Sequence, residues 1–131
     1  MPSDAIALIQ QDAGVIQELE QLLREAGYRT RAFSTLDGTY EALLADPPDA
    51  IILGLHFPEQ RHGLDLVTLL KLQPATRTIP VLLTSQDEPF IKASQQRVEQ
   101  QHIPALWTIT RPFNPADVLR ILEQALQTGE S

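Results

Sequence analysis

The chain contains no cysteine. Disulfides, thiolate metal sites and thiol catalysis are therefore excluded, which fits a reducing compartment. No apolar run approaches the ~18 residues that a membrane span needs. The start, Met1-Pro2-Ser3-Asp4, has none of the basic residues that open a secretion signal, so the cytoplasm is the expected location and no membrane contact is expected. No run of lysine or arginine occurs. Ten basic residues are scattered against 17 acidic ones, for a formal net charge of -7. Direct nucleic-acid binding needs a basic face and is not expected. The acidity serves solubility first and steering toward a basic partner second. There is no glycine-rich phosphate loop, no G-x-S-x-G elbow and no metal-spaced histidine pair. His56, His62 and His102 form no recognisable ligand set. With no standard catalytic constellation in view, an enzyme is not expected.

What is present is alternation. The 131 residues, 43% of them hydrophobic, suit one domain over 1–131, with a core over 4–127 and residues 128–131 as a tail or the start of a linker. Asp4-Ala5-Ile6-Ala7-Leu8-Ile9 is an almost wholly apolar run, as a central parallel strand requires. Val15, Leu19, Leu22, Leu23 and Ala26 then recur at helical spacing over ~13–26, and Gly27 stops that helix. Tyr28 to Phe33, which carries Arg29 and Arg31, reads as a second strand. Ser34 is the expected cap of a helix through Tyr40, Ala42, Leu43 and Leu44, broken by Asp46-Pro47-Pro48. Ala50 to Leu53 is strand three. Leu64, Val67, Leu69, Leu70 and Leu72 predict a helix over ~64–72 that Pro74 ends. Ile79 to Thr84 is strand four, with Pro80 near its start, where a missing donor does least harm. A helix over ~89–101 and a strand over Ala105 to Ile109 follow. Asn114-Pro115 opens the last helix, with Asn as cap and Pro in the first turn.

Five strands alternating with five helices predict a doubly wound α/β sandwich with right-handed crossovers. The expected strand order is the flavodoxin-like 2-1-3-4-5, with the functional crevice at the carboxyl ends of the strands. Those ends carry Gln10-Gln11, Gly54, Thr84 and Arg111.

Five landmarks in order then resemble the receiver domain of response regulators, over roughly Ala5 to Leu126. They are a polar pair after strand one, Gly27-Tyr28 after helix one, and Pro48-Asp49 with Pro58 and Gly63 around strand three. The fourth is Ile79-Pro80-Val81-Leu82-Leu83-Thr84-Ser85. The fifth is Thr110-Arg111-Pro112-Phe113, close to the family's T-K-P-F. The resemblance implies a two-component signalling module. Its chemistry, however, is missing. Where the family's P-D-(apolar)-D-L-x-M-P strand carries its phosphorylated aspartate, this chain has Gly54, which has no carboxylate to attack phosphorus. Where the family holds Mg²⁺ with two adjacent carboxylates, this chain has Gln10 and Gln11. Magnesium is a hard cation held by carboxylates, waters and phosphate oxygens, so no Mg²⁺ or other cofactor is expected. Asp12 is one residue too late and reads as a turn or helix-cap residue. Asp49 begins strand three, roughly 16 Å from Gly54 at strand rise.

The same resemblance assigns the remaining positions of this degenerate phosphoacceptor pocket. His56 stands where the family offers a backbone carbonyl to the metal, and reads as a loop imidazole. Thr84 stands where a hydroxyl receives the phosphoryl group, and here keeps a structural role. Thr108 stands where the switch aromatic would be, with Trp107 adjacent but on the opposite face. Arg111 replaces a lysine. Its always-charged fork is expected to turn toward a local carboxylate or solvent, with an anion as second choice, because an unpaired buried guanidinium is costly. Arg111-Pro112 is a candidate cis peptide, Pro112 being the residue type for which that is cheap.

Two functional readings follow. The first is a non-phosphorylatable receiver-like module, a pseudo-receiver, working through protein–protein contacts in a two-component or related pathway. By analogy its contact surface is the fourth helix, the fifth strand and the fifth helix, with Phe90, Ile91 and Trp107 as candidates; the same surface could serve a homodimer. The second is a small-molecule or anion sensor that uses the emptied pocket around Gln10, Gln11, Gly54, Thr84 and Arg111.

Overall fold

Three runs of the chain leave water almost entirely: Ala5–Ile9, Ala50–Gly54 and Val81–Thr84. Runs so uniformly apolar need cover on both faces, and helices on either side of a parallel sheet supply it. The computed structural model describes residues 4–10, 12–34, 38–54, 70, 72–74, 76–85, 106–110 and 114–129. Within them the order is β1 (Ala5–Ile9), α1 (Ala13–Glu25), β2 (Arg29–Phe33), α2 (Thr39–Ala45), β3 (Ala50–Gly54), β4 (Val81–Ser85), β5 (Leu106–Thr110) and α3 (Pro115–Gly129). The strands pair in parallel in the order β2-β1-β3-β4, with β5 beside β4. The order 2-1-3-4 of a flavodoxin-like sheet is thus the one expected. Of the predicted helix over ~64–72 only Leu70 and Leu72 are described, and the one over ~89–101 lies outside the described residues.

Strand alternation sorts the core into two clusters. Ala7, Ile9, Ile51, Leu53, Val81 and Leu83 face one way, onto Leu43 of α2, Leu70 and Ile79. Ile6, Leu8, Ala50, Ile52 and Leu82 face the other way, onto Val15, Leu19 and Leu23 of α1 and Val118, Leu122 and Ala125 of α3. Of the helical spacing read for α1, Val15, Leu19, Leu22 and Leu23 meet the sheet, while Ala26 is the exposed C-cap.

The ends of α1 follow from single residues. Asp12 is extended and its Oδ1 accepts from the Gly14 N–H at 2.8 Å, satisfying one of the free amides of the first turn. At the other end Tyr28 N–H donates to Leu23 O (2.9 Å) and Gly27 N–H to Arg24 O (3.0 Å). This is the Schellman arrangement, and it needs a left-handed residue at Gly27, whose φ is 96°. Asn114 caps α3 as expected, its Oδ1 accepting from Ala116 N–H at 3.0 Å, with Pro115 at the first helical position. That helix continues through Gly129, so residues 128 and 129 belong to it rather than to a tail.

Two details depart from expectation. Helix α2 begins at Thr39 behind Gly38, whose φ is 74° and which offers no side-chain cap; Ser34 sits four residues earlier in an exposed bend after β2. Ser34 belongs to the strand exit, and the left-handed glycine makes the turn into the helix. The far end of α2 is served instead from β2. The Arg31 guanidinium donates to Ala42 O (3.5 Å) and Asp46 O, lies 3.7 Å from the Asp46 carboxylate, and covers the Phe33 ring at 5.6 Å. A cation at a helix C-terminus is well placed for the helix dipole. The second departure is Leu72, which lies in a turn and is 72% exposed instead of joining a helical face.

Leu19→Ala should therefore cost about 2–5 kcal/mol in a denaturant titration, as a fully buried leucine does, while Leu72→Ala stays within about 0.5 kcal/mol. Tyr28 offers a pH test. Burial first, then Glu123 and Asp4, raise its phenol above the usual 10.0. A raised folded value leaves stability intact below the unfolded value and removes it as pH climbs through the folded one. Tyr28→Phe should accordingly lose less stability than the unaltered chain above about pH 10, read from midpoints across an alkaline series.

Candidate functional site

Parallel strands bring their carboxyl ends to one edge of the sheet. Gln10 follows β1, Gly54 ends β3, and Thr84 pairs in register with Gly54, as Leu53 does with Ile9. Leu8, Ile52 and Leu82 all face α1 and α3. Gln10, Gly54 and Thr84 each stand two positions further along the same strands, so they share that face. Three of the six residues predicted to form the pocket, Gln10, Gly54 and Thr84, thus stand together at this edge.

They meet in a specific way. Gln10 is 2% exposed and Thr84 1%. Gln10 Nε2 donates to Thr84 Oγ1 at 3.0 Å, and the Thr84 hydroxyl has Gln10 Oε1 at 3.3 Å and Leu53 O at 3.5 Å as acceptors. The Gln10 backbone N–H donates to Phe33 O at 3.0 Å, tying the end of β1 to the end of β2. Buried polar groups must be paired, and among the described residues no buried side-chain nitrogen or oxygen lacks a partner. A Cβ on residue 54 would lie 2.8 Å from Gln10 Oε1, 3.4 Å from Gln10 Cδ and 3.6 Å from Ile9 O. The space next to Gly54 is occupied by the Gln10 amide. That occupancy is the feature sequence reasoning missed. Its only trace in the sequence is the pairing of a residue without a side chain at one strand end with a long amide at the next.

The two acids weighed for this site in the sequence, Asp12 and Asp49, are engaged elsewhere. Asp12 caps α1 through Gly14. Asp49 lies at the opposite edge, where its Oδ2 accepts from Ala5 N–H at 2.7 Å and its own N–H donates to Ala5 O at 2.8 Å. It joins the starts of β1 and β3, at the end of β3 away from Gly54. Gln11, His56, Phe90, Ile91, Arg111 and Pro112 lie outside the described residues, and Trp107 is described only as part of β5, opposite Leu82.

The described residues at this edge, Gln10, Gly54 and Thr84, supply no carboxylate for Mg²⁺. Gln10 is neutral and both ends of its amide face Thr84, Gly54 has no donor, and among the described residues no group of three acidic or histidine side chains could hold a metal. Among the described residues the Thr84 hydroxyl is bound to an amide and a backbone carbonyl, with no base beside it to activate it as a nucleophile. An open cleft of about 170 Å³ lies at the other edge of the sheet, between Asp49, Thr78, Pro80 and Leu126. It is smaller than the roughly 300 Å³ at which small-molecule sites begin.

The response regulator receiver domain family matches residues 6–123. Protein Rrf1 of Nitratidesulfovibrio vulgaris is 28% identical over 124 residues, covering 94% of this chain and 83% of its own. A crystal structure of a response regulator from Chloroflexus aurantiacus superposes with a TM-score of 0.83 at 24% identity, covering 96% of this chain and 99% of that one. The signal receiver domain of a signal transduction histidine kinase from Syntrophus aciditrophicus gives 0.78 at 26% identity, covering 95% and 91%. No helix among the described residues is long and apolar enough to cross a membrane.

The cap role of Asp12 can be separated from a metal-ligand role. Asp12→Ala should lower stability by about 1 kcal/mol and Asp12→Asn by much less, since asparagine caps nearly as well. Added Mg²⁺ should leave the unfolding midpoints of all three chains unchanged.

Proposed function

Because the chain belongs to the response regulator receiver domain family, we propose that it is a two-component signalling module that acts by protein contact without phosphorylation on aspartate. One observation carries this reading: at the strand end where the family bears its acceptor there is Gly54, and the Gln10 amide fills the adjoining space. A phosphoryl group needs a nucleophilic carboxylate and a divalent cation to approach, and neither Gln10, Gly54 nor Thr84 supplies one. The module works without Mg²⁺, as a pseudo-receiver in the cytoplasm and not as an enzyme. Its output surface is the side of the sheet bearing β5 and α3, with Phe90, Ile91 and Trp107 as candidate contacts for a signalling protein or a second copy. The alternative of a small-molecule or anion sensor in an emptied pocket is weaker, because on the Gly54 side the pocket is filled by protein.

Incubation with acetyl phosphate and Mg²⁺, followed by intact-mass measurement, tests the proposal. The expected spectrum shows the unmodified chain alone, beside a competent receiver that acquires a phosphoryl adduct. A stoichiometric, hydroxylamine-labile adduct on this chain would end it.

A further inference from the structure

We infer that the Gln10 carboxamide is a resident occupant of the cleft, which holds Thr84 in one position and closes position 54 to any side chain. The inference deepens the proposed function and takes its signalling meaning from that reading, but its physical basis is packing alone. A methyl group at residue 54 would stand 2.8 Å from Gln10 Oε1, closer than non-bonded carbon and oxygen tolerate. On an exposed glutamine that contact would be trivial, since Oε1 is the end of a flexible side chain. Gln10 is 2% exposed, and its amide is the partner of a hydroxyl that is 1% exposed. Moving it aside strips the bonds between Gln10 and Thr84 and leaves buried polar atoms unpaired, which costs far more than the overlap itself.

The three residues therefore form one unit. Gly54 makes room, Gln10 fills it, and Thr84 holds the filling in place while its single hydroxyl proton faces Gln10 Oε1 and Leu53 O. The link runs from β1 across β3 to β4, so the ends of three strands are fastened together without any ion. A cleft fastened this way has one state. Input to the module must then come from its outer surfaces, through the supply of a partner, and not through a small group entering between β1 and β4.

A double-mutant cycle tests the unit without any phosphoryl donor. Gly54→Ala should lower the Tm by roughly 5 °C or more, the loss expected when buried hydrogen bonds break in a domain of this size. In a Gln10→Ala background the same substitution should lower it by less than about 2 °C. Equal decrements in both backgrounds would overturn the inference; a Gly54→Ala chain that folds only alongside Gln10→Ala would support it. A second readout uses the unaltered fold. The Gln10 side-chain NH₂, assigned by its absence in Gln10→Ala, should exchange with solvent at least about tenfold more slowly than surface glutamines and lose that protection in Thr84→Val. Exchange as fast as at the surface would sink the inference whatever the Tm values. A phosphoryl adduct in the acetyl phosphate experiment would refute the proposed function and leave this cycle unchanged, so the two can fail separately.

Discussion

Burial of the central strands on both faces is the constraint from which the other features follow. A strand covered by helices on each side has nowhere to put a polar side chain except at its ends. β1, β3 and β4 obey this closely. Ile6 to Ile9, Ala50 to Leu53 and Val81 to Leu83 are all buried apolar residues, and the first polar or side-chain-free positions are Gln10, Gly54 and Thr84. Since the strands are parallel and in register, those positions arrive at one edge together. The fold thus creates a cluster at that edge whatever residues stand there. What the cluster can do depends on the residues alone.

A cluster of carboxylates at such an edge is costly without a cation, because like charges repel and each loses hydration. A neutral amide and a hydroxyl avoid that cost. Their hydrogen bonds contribute only about 0.5–1.5 kcal/mol each, but they leave no unpaired charge and no need for a metal. The exchange works only if the volumes match. Gly54 is the residue type that leaves space for the Gln10 amide, and any larger residue would compete for it. Loss of a side chain at one strand end and gain of a longer neutral one at the next are therefore two halves of a single packing solution.

Much of this was legible beforehand. Strand alternation, helical spacing, Gly27 and Asn114-Pro115 located β1, α1, β2, β3 and α3 to within a residue or two, because each signal has a local cause: a face, a cap or a left-handed turn. Ser34 misled because a good capping residue marks a helix start only when the chain actually turns there, and Gly38 makes that turn later. Leu72 misled because apolar spacing cannot tell the last residue of a helix from the first residue of the turn after it. At the site, residue types showed which chemistry was missing. They could not show that the place had been filled. Whether Gln10 points outward to water or inward beside Gly54 depends on strand register and on Thr84, 74 residues away, and no local pattern encodes that.

The opposite edge of the sheet shows why carboxylates were not simply unwelcome in this fold. Asp49 is accommodated there because it is exposed and bonded to the Ala5 N–H, with Asp4 lining the same open cleft. At the start of a strand, free backbone N–H groups offer a carboxylate ready partners. Strand carboxyl ends offer carbonyl oxygens, of which Leu53 O beside Thr84 is one, and the free N–H groups near them belong to helix starts such as that of α1. Asp12, the acid that follows Gln10, bonds instead to the Gly14 N–H at the start of α1, whereas a hydroxyl can donate to a carbonyl and an amide can donate to the hydroxyl. The polarity of the parallel sheet thus separates the two ends chemically. One edge retains Asp49 as a tie between β1 and β3, and the other is left with the neutral pair that its own backbone favours.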